Sequence, residues 1–447
     1  MNNKSLLKNF FRYTLLNILG TVSLSCYILA DTFFVSRRLG SNGLAALNLA
    51  IPVSNFINGV GLMLGVGGAV KFAICKSQQK EEEANRIFSH SVMGAIGFSC
   101  LFLFAGLFLS APIACLLGAD AQIFDMTQTY LKVLLLFAPA FLFNNLLISF
   151  SRNDGNPGLS MFAMVAGSFS NIFLDYFFMF PLGMGMFGAV FATGLAPIIS
   201  MMIILPFLLR KKLSFHLIKT KIHFSYLKMI FLLGFPSLVS EFSSGIVIIV
   251  FNFLILQLLG NIGVAAYGII ANLSLVVVAI FTGLAQGTQP LASRAYGQNN
   301  WRDIRQTLRY ALAMLTVLSV VLYGIIFSFA GPLADLFNSE QNSQLHQIAV
   351  SGLRYYFTAT FFAGLNIIFA SFFVSVEQTV PAHLTTLCRG LFFIVPIAFL
   401  LAFCFGVTGV WLAFPVTELL VCLMSLIFFP EMDKNTRGSQ GINFFKK

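Results

Sequence analysis

Charge is what this 447-residue chain has least of. Asp, Glu, Lys and Arg together make up 10% of it and hydrophobic residues 58%, whereas roughly 25% of an ordinary soluble domain is charged. No water-soluble fold hides so much apolar side chain. The chain is therefore expected to be an all-α polytopic membrane protein. Spans of about 20 apolar residues allow about ten to fourteen of them on short loops, with no room for a large soluble domain. Signatures of chemistry are also missing. None of the five His belongs to a His-Glu-x-x-His motif, and no Gly-Lys-Ser/Thr phosphate loop occurs, so neither a catalytic metal nor ATP hydrolysis is expected. No cofactor is implied, and energy has to come from an ion gradient or a partner. An intramembrane enzyme would need a His, Ser or metal constellation that is lacking, so an enzyme is not expected. Gly183, Gly185 and Gly188 have the spacing of a dinucleotide loop but join two membrane helices instead of following a strand. The seven Cys are odd in number, form no Cys-x-x-Cys and lie mostly in apolar runs, which excludes a disulfide framework and a thiolate metal site. The start, with Lys4, Lys8 and Arg12 before a long apolar stretch, is too long for a signal-peptide core and reads as a retained first helix.

What is present is a rhythm of apolar runs broken by Gly, Pro, Asn or charge. They fall at about 11–36, 44–70, 88–110, 124–150, 159–180 and 187–209, and again at 231–257, 264–290, 308–330, 347–374, 383–403 and 409–429. The reading is twelve helices in two pseudo-symmetric six-helix lobes, 1–209 and 231–447. The basic connector 210–230 between them is expected to be amphipathic and to lie on the membrane surface. Counted from this topology with the N-terminus inside, 22 of the 27 Lys and Arg fall on one side, among them Arg152 in an inner loop, and four on the other. Arg389 alone falls within a span. That asymmetry is the positive-inside rule, so the net charge of +11 reports topology with both termini cytoplasmic, and a nucleic-acid partner is not expected.

The two sixes repeat. Leu39, Gly40, Gly43, Ala45 and Ala46 recur 220 residues later as Leu259, Gly260, Gly263, Ala265 and Ala266, and Pro112, Leu116 and Asp120 as Pro332, Leu336 and Glu340. Pro157 and Gly188 find counterparts in Pro381 and Gly409. Halves with an even number of helices enter from the same side, so their axis lies along the membrane normal and the cleft between them is the expected substrate path. Pro52, Pro139, Pro236, Pro396 and Pro415 inside spans offer kinks.

Four acids, Asp31, Asp175, Glu241 and Glu418, lie in spans, where a carboxylate costs about 2.5 to 3.5 kcal/mol on insertion scales. Asp31 precedes Arg37 by six residues and Asp175 precedes Pro181 by six, placing both roughly 9 Å below the outer surface. Asn171 stands one turn deeper on the face of Asp175, and Thr193 on the next helix returns to that level. This all-oxygen set suits a hard monovalent cation, and two adjacent carboxylates also suit proton capture. The alternative is structural: Asp31 paired with Arg37 or Arg38, and Asp175 bonded to Asn171. Glu241 and Glu418 fall near the midplane, roughly 15 Å deep. There they could attract an organic cation, with Met and Phe as an adaptable wall, or, for Glu418, pair with Arg389.

The run Ala30-Asp31-Thr32-Phe33-Phe34-Val35-Ser36-Arg37-Arg38-Leu39-Gly40, followed by Leu44-Ala45-Ala46, resembles the first-helix signature of the multidrug and toxic compound extrusion (MATE) family. Gly234-Phe235-Pro236, and Gln286-Gly287-Thr288-Gln289-Pro290 before Tyr296-Gly297, resemble its second-half signatures. The resemblance implies a coupling-ion site at Asp31, Asn171, Asp175 and Thr193, holding Na+ if the protein is sodium-coupled. It leaves Glu241, with Glu418 and Gln286, for substrate. A second-lobe ion site is not implied, because helix 10 offers only Glu377, at its inner end. The function implied is a secondary antiporter that exports amphipathic organic cations or toxic metabolites against inward Na+ or H+. It is expected to act as a monomer in the plasma or inner membrane, where short loops suit a bacterial cell. The alternative is a flippase of lipids or lipid-linked oligosaccharides from the wider superfamily, disfavoured by the scarcity of basic residues in the spans. A channel or receptor fits the repeat poorly.

Overall fold

Inside hydrocarbon a chain must satisfy its own backbone, as a helix or a closed barrel, and runs of this length select the helix. The computed structural model describes residues 3–338 and 342–436, and every regular element among them is helical. Glu340, Arg437, Lys446 and Lys447 lie outside the described residues. Helices 1 and 2 form one continuous element, Asn3–Ser77, helices 7 and 8 another, Phe224–Gly297, and helix 12 ends a third, Ile394–Thr436. Helix 3 is Glu81–Phe108, helix 5 Pro157–Met179, helix 6 Gly185–Leu209 and helix 9 Trp301–Ser328. Helix 4 is Phe124–Leu136 and Ala138–Asn153, bent by 48°. Helix 10 is Ser343–Tyr356 and Thr360–Ser375, and helix 11 starts as Thr379–Leu387 and passes through a π turn at Cys388–Phe392. With the long elements divided at their internal breaks, Gly40, Gly260 and Gly406, twelve spans form the two six-helix lobes.

The repeat is visible in the backbone. Gly40 (φ 64°, ψ −152°) and Gly260 (φ 65°, ψ −156°) make the same turn, in a region open to glycine alone. Gly43 then abuts Leu39 and Val35, and Gly263 abuts Leu259 and Ile255. Helix 4 breaks at Phe137 and helix 10 at Phe357. Gln79 and Asn299 share a positive φ after helices 2 and 8, as Gly185 and Gly406 do before helices 6 and 12.

One sequence expectation, that for Arg152, is corrected. The breaks at Gly40, Gly260 and Gly406 separate successive helices, Pro52, Pro236 and Pro415 lie within continuous helix, and Pro139 stands at the 48° bend of helix 4. Helix 7 begins at Phe224, and residues 212–223 of the connector run as an irregular strap. Backbone N–H groups of His216, Ile218 and His223 donate to Asn85 Oδ1, Ser89 Oγ and His90 Nε2 of helix 3, at 2.9, 3.0 and 3.1 Å. Phe215 is buried among Phe72, Phe88 and Phe150. Arg152 is not an inner-loop charge but a helix-4 residue, 1% exposed.

One hydrophobic core runs from Val35 to Ile230. The other, mostly from Phe251 to Phe429, also takes in Phe10, Tyr13, Val66, Val70 and Ile74 of helices 1 and 2. The lobes are thus packed together at the end of the molecule where helix 1 starts and helix 2 finishes.

Gly40→Ala and Gly260→Ala are each expected to destabilise the protein by about 1–3 kcal/mol. A Cβ there meets no atom within 4 Å, so the loss is backbone strain. Gly97→Ala, also in open space but on helix 3, is expected to hold or raise the unfolding midpoint. Thermal unfolding of the three variants in detergent checks this.

Candidate functional site

Helices 1, 5 and 6 bring the four residues of the first lobe together. Asp31 and Thr193 are each 7% exposed, and Asn171 and Asp175 are fully buried. With its amide turned to satisfy both ends, Asn171 donates to Asp175 Oδ2 at 2.9 Å and accepts from the Thr193 N–H at 3.3 Å. The Thr193 hydroxyl donates to the Ala189 carbonyl at 3.0 Å and is also hydrogen-bonded to the Tyr130 phenol. Asp31 and Asp175 are close enough to feel each other's charge. Asp31 Oδ1 and Asp175 Oδ1 are both buried with no donor.

The structural alternative for Asp31 required Arg37 or Arg38. Arg38 turns instead to the end of helix 5, where its Nε donates to the Met179 carbonyl at 3.2 Å, and Asp31 has no ion pair among the described residues. Two phenols that sequence reasoning missed share the site. Tyr27, one turn before Asp31, stands in the field of Asp31, Asp175 and Glu241 alike, and Tyr130 of helix 4 lies by Thr193 and the same two aspartates. Tyr27 was within reach of the sequence through its four-residue spacing from Asp31; Tyr130 carried no such signal.

Glu241 of helix 7 is half-buried and faces helix 2. A Cβ at Gly59 would lie 3.3 Å from Glu241 Cβ, and one turn outward Asn55 Nδ2 donates to Ser244 Oγ at 3.2 Å. The Glu241 carboxylate has no ion-pair or hydrogen-bond partner among the described residues.

Glu418 and Gln286 stand elsewhere. Glu418 is fully buried in the second lobe, where Arg389 Nε donates to Oε1 at 2.6 Å and Asn366 Nδ2 to Oε2 at 2.7 Å and to the Glu418 carbonyl at 2.8 Å. The π turn at Cys388–Phe392 aims Arg389 inward, and its Gly390 makes room for Ser243. Gln286 Oε1 accepts from Arg152 Nη1 at 2.5 Å. Among the described residues, Asp31 and Asp175 of the first lobe and Glu241 of the second thus have no cation of their own, whereas Glu418 is paired within the second lobe.

The MatE family model matches residues 17–177 and 236–400. The chain belongs to the MatE family of transporters. The two matched stretches fall one in each lobe. Over 422 residues it is 25% identical to the multidrug export protein MepA of Staphylococcus aureus, covering 94% of this chain and 92% of the relative. Over 425 residues it is 24% identical to MepA of Staphylococcus saprophyticus, covering 95% and 93%. Among solved structures, the outward-facing conformation of a multidrug resistance MATE transporter superposes with TM-score 0.90 at 23% identity, covering 98% of this chain and 99% of the other. A Pyrococcus furiosus transporter, described as having a binding pocket of reversed polarity that suggests a different function, gives 0.90 at 24% identity with the same coverage. This MatE chain shares their fold.

Removing Arg389 leaves Glu418 buried without its cation, so Arg389→Met is expected to destabilise the protein by about 3–5 kcal/mol. Arg389→Met combined with Glu418→Gln removes both charges and is expected to regain most of that loss, read as the unfolding midpoint of both variants against wild type.

Proposed function

We propose that this MatE transporter is a secondary antiporter that exports amphipathic organic cations or related toxic metabolites, driven by inward movement of Na+ or H+. The observation that carries the reading is the pair of buried, donor-free oxygens, Asp31 Oδ1 and Asp175 Oδ1. Neither can stay ionised in a dry interior without a cation, and among the described residues no protein cation is paired with them. A coupling ion would complete the set, held by Asp31 and Asp175 with the Asn171 amide and the Thr193 hydroxyl as neutral ligands. A proton would serve the same carboxylates, since two acids in mutual repulsion hold one proton readily.

Substrate charge is assigned to Glu241, the unpaired acid at the seam between the lobes, and not to Glu418, whose oxygens are already occupied. Pocket polarity separates the readings within this superfamily. A flippase of phosphate-bearing lipids would want cations at this depth, whereas an acid at Glu241 suits a cationic drug, as does the resemblance to multidrug exporters. Ion entry would draw helix 1 toward helices 5 and 6 and change the space beside Tyr27 and Glu241, which couples the two sites. The lobes are proposed as 1–209 and 231–447 joined by 210–230, acting as a monomer in the cell membrane. The face carrying both chain ends is assigned to the cytoplasm by its basic residues.

The test is efflux of a fluorescent organic cation from proteoliposomes under a Na+ gradient, a pH gradient, or neither. Wild type is expected to respond to one gradient. Asp31→Asn and Asp175→Asn are expected to lose at least about 90% of that driven component, because the barrier set by the missing ion is worth more than about 1.4 kcal/mol. Glu241→Gln is expected to raise the half-saturating drug concentration while the ion dependence persists. Full gradient-driven transport by Asp31→Asn sinks the coupling assignment, and no cation movement under either gradient sinks the drug reading.

A further inference from the structure

The helix-8 sequence around Gln286, which the ion and substrate sites do not use, closes the seam between the lobes. A Cβ at Gly287 would come within 2.6 Å of Thr14 Cα, and one at Gly283 within 2.6 Å of Ile18 Cα, so these two glycines let helix 8 lie against the backbone of helix 1. The Thr21 hydroxyl donates across this seam to the Ala279 carbonyl at 2.8 Å. Two further contacts flank it and mirror each other. Lys71 of helix 2 meets Glu377 at the end of helix 10 at 2.6 Å, and Arg294 at the end of helix 8 donates to the Asn153 carbonyl at the end of helix 4 at 2.8 Å.

At the centre of this seam Arg152 has no acidic partner among the described residues. Its Nη1 donates to two amide oxygens, Asn17 Oδ1 in its own lobe at 3.1 Å and Gln286 Oε1 of the other lobe at 2.5 Å. Its Nε is buried without an acceptor. A fully buried cation with neutral partners is costly, and removing one partner leaves more of that cost uncovered than removing both. The charge is dry only while the lobes are together. When helix 8 moves away, Gln286 leaves with it and water replaces the amide.

We propose that Arg152 and Gln286 form the release latch of the seam on the face that carries the chain ends, a contact that holds the lobes closed while keeping a charge buried that gains hydration on opening. Arg152 is a positioning residue here; it touches neither ion nor substrate. The latch bears on the two-lobed exchange proposed above but not on which ion or drug is carried. Three substitutions separate its parts. Gln286→Leu strands the buried cation and opens the seam. Arg152→Met with Gln286→Leu removes charge and acceptor together and keeps it shut. Gln286→Glu supplies the missing negative charge and also keeps it shut.

Spin labels at Glu82→Cys and Arg302→Cys, one exposed on each lobe, report the seam in lipid nanodiscs by pulsed electron resonance, with Cys26, Cys100, Cys115 and Cys404 replaced by Ala. No gradient and no drug are present, so a wrong ion or substrate assignment leaves the outcome untouched. Gln286→Leu is expected to raise the ratio of long to short distances about tenfold or more. The double variant is expected to return to the wild-type ratio or below it, and Gln286→Glu to fall below it, each with slowed transport. An unchanged distribution in Gln286→Leu, a double variant as open as Gln286→Leu, or Gln286→Glu shifting toward long distances overturns the latch. Should Gln286→Leu fail to fold, the other two variants decide by the same criteria.

Discussion

Hydrocarbon gives a polar group neither hydration nor a counterion, so each charge carried to membrane depth by this chain has to find its complement inside the protein or receive it from water. The chain meets that demand in three ways. Glu418 has Arg389 and Asn366 around it and is closed. Arg152 has only amide oxygens and is half-satisfied. Asp31, Asp175 and Glu241 are left open, and these are the positions where a mobile cation, a proton or a cationic solute would complete what the protein leaves undone. A transporter needs all three kinds of site: some to fix the fold, some to bind, and some whose satisfaction depends on which way the molecule faces.

The two lobes repeat one backbone, down to the paired turns at Gly40 and Gly260 and the paired breaks at Phe137 and Phe357, yet their charges differ. The second lobe has a tethered guanidinium where the first leaves carboxylates unpaired. A tethered cation cannot be exchanged with solvent, so Glu418 is closed to the exchange proposed for Asp31 and Asp175. Duplication supplied two equivalent frames, and substitution of a few interior side chains made them unequal.

Much of this was legible from the sequence. The repeat was written in Leu-Gly spacings because only glycine accepts that turn. The four first-lobe residues were found by counting rises along straight helices from their outer ends, which works because Asp31 and Asp175 lie close to those ends. The same counting put Arg152 in an inner loop, because helix 4 carries its last turn beneath the other lobe and position along the chain does not reveal what lies above a helix end. The connector was read from its charges as an amphipathic segment on the membrane surface. Its path is set by Asn85, Ser89 and His90, whose side chains capture its backbone, and by Phe215, buried among the aromatics of the first lobe. Pairing of Glu418 with Arg389 was one of two readings that depth left open, since choosing between them needs the rotation of helix 11 through its π turn.

The captured connector also has a mechanical meaning. Because His223 is held by His90 and helix 7 starts at the next residue, the first helix of the second lobe stands with its foot fixed to helix 3. Near the start of helix 1, Phe10 packs on Tyr310 of helix 9 at a ring separation of 5.7 Å, which gives the first lobe the mirrored footing. Each lobe's first helix thus has its foot set against the third helix of the other lobe, by a polar contact on one side and by ring packing on the other. With His216, Ile218 and His223 all bonded along helix 3, the linker is shorter in effect than its residue count, and little slack is left between the lobes it joins.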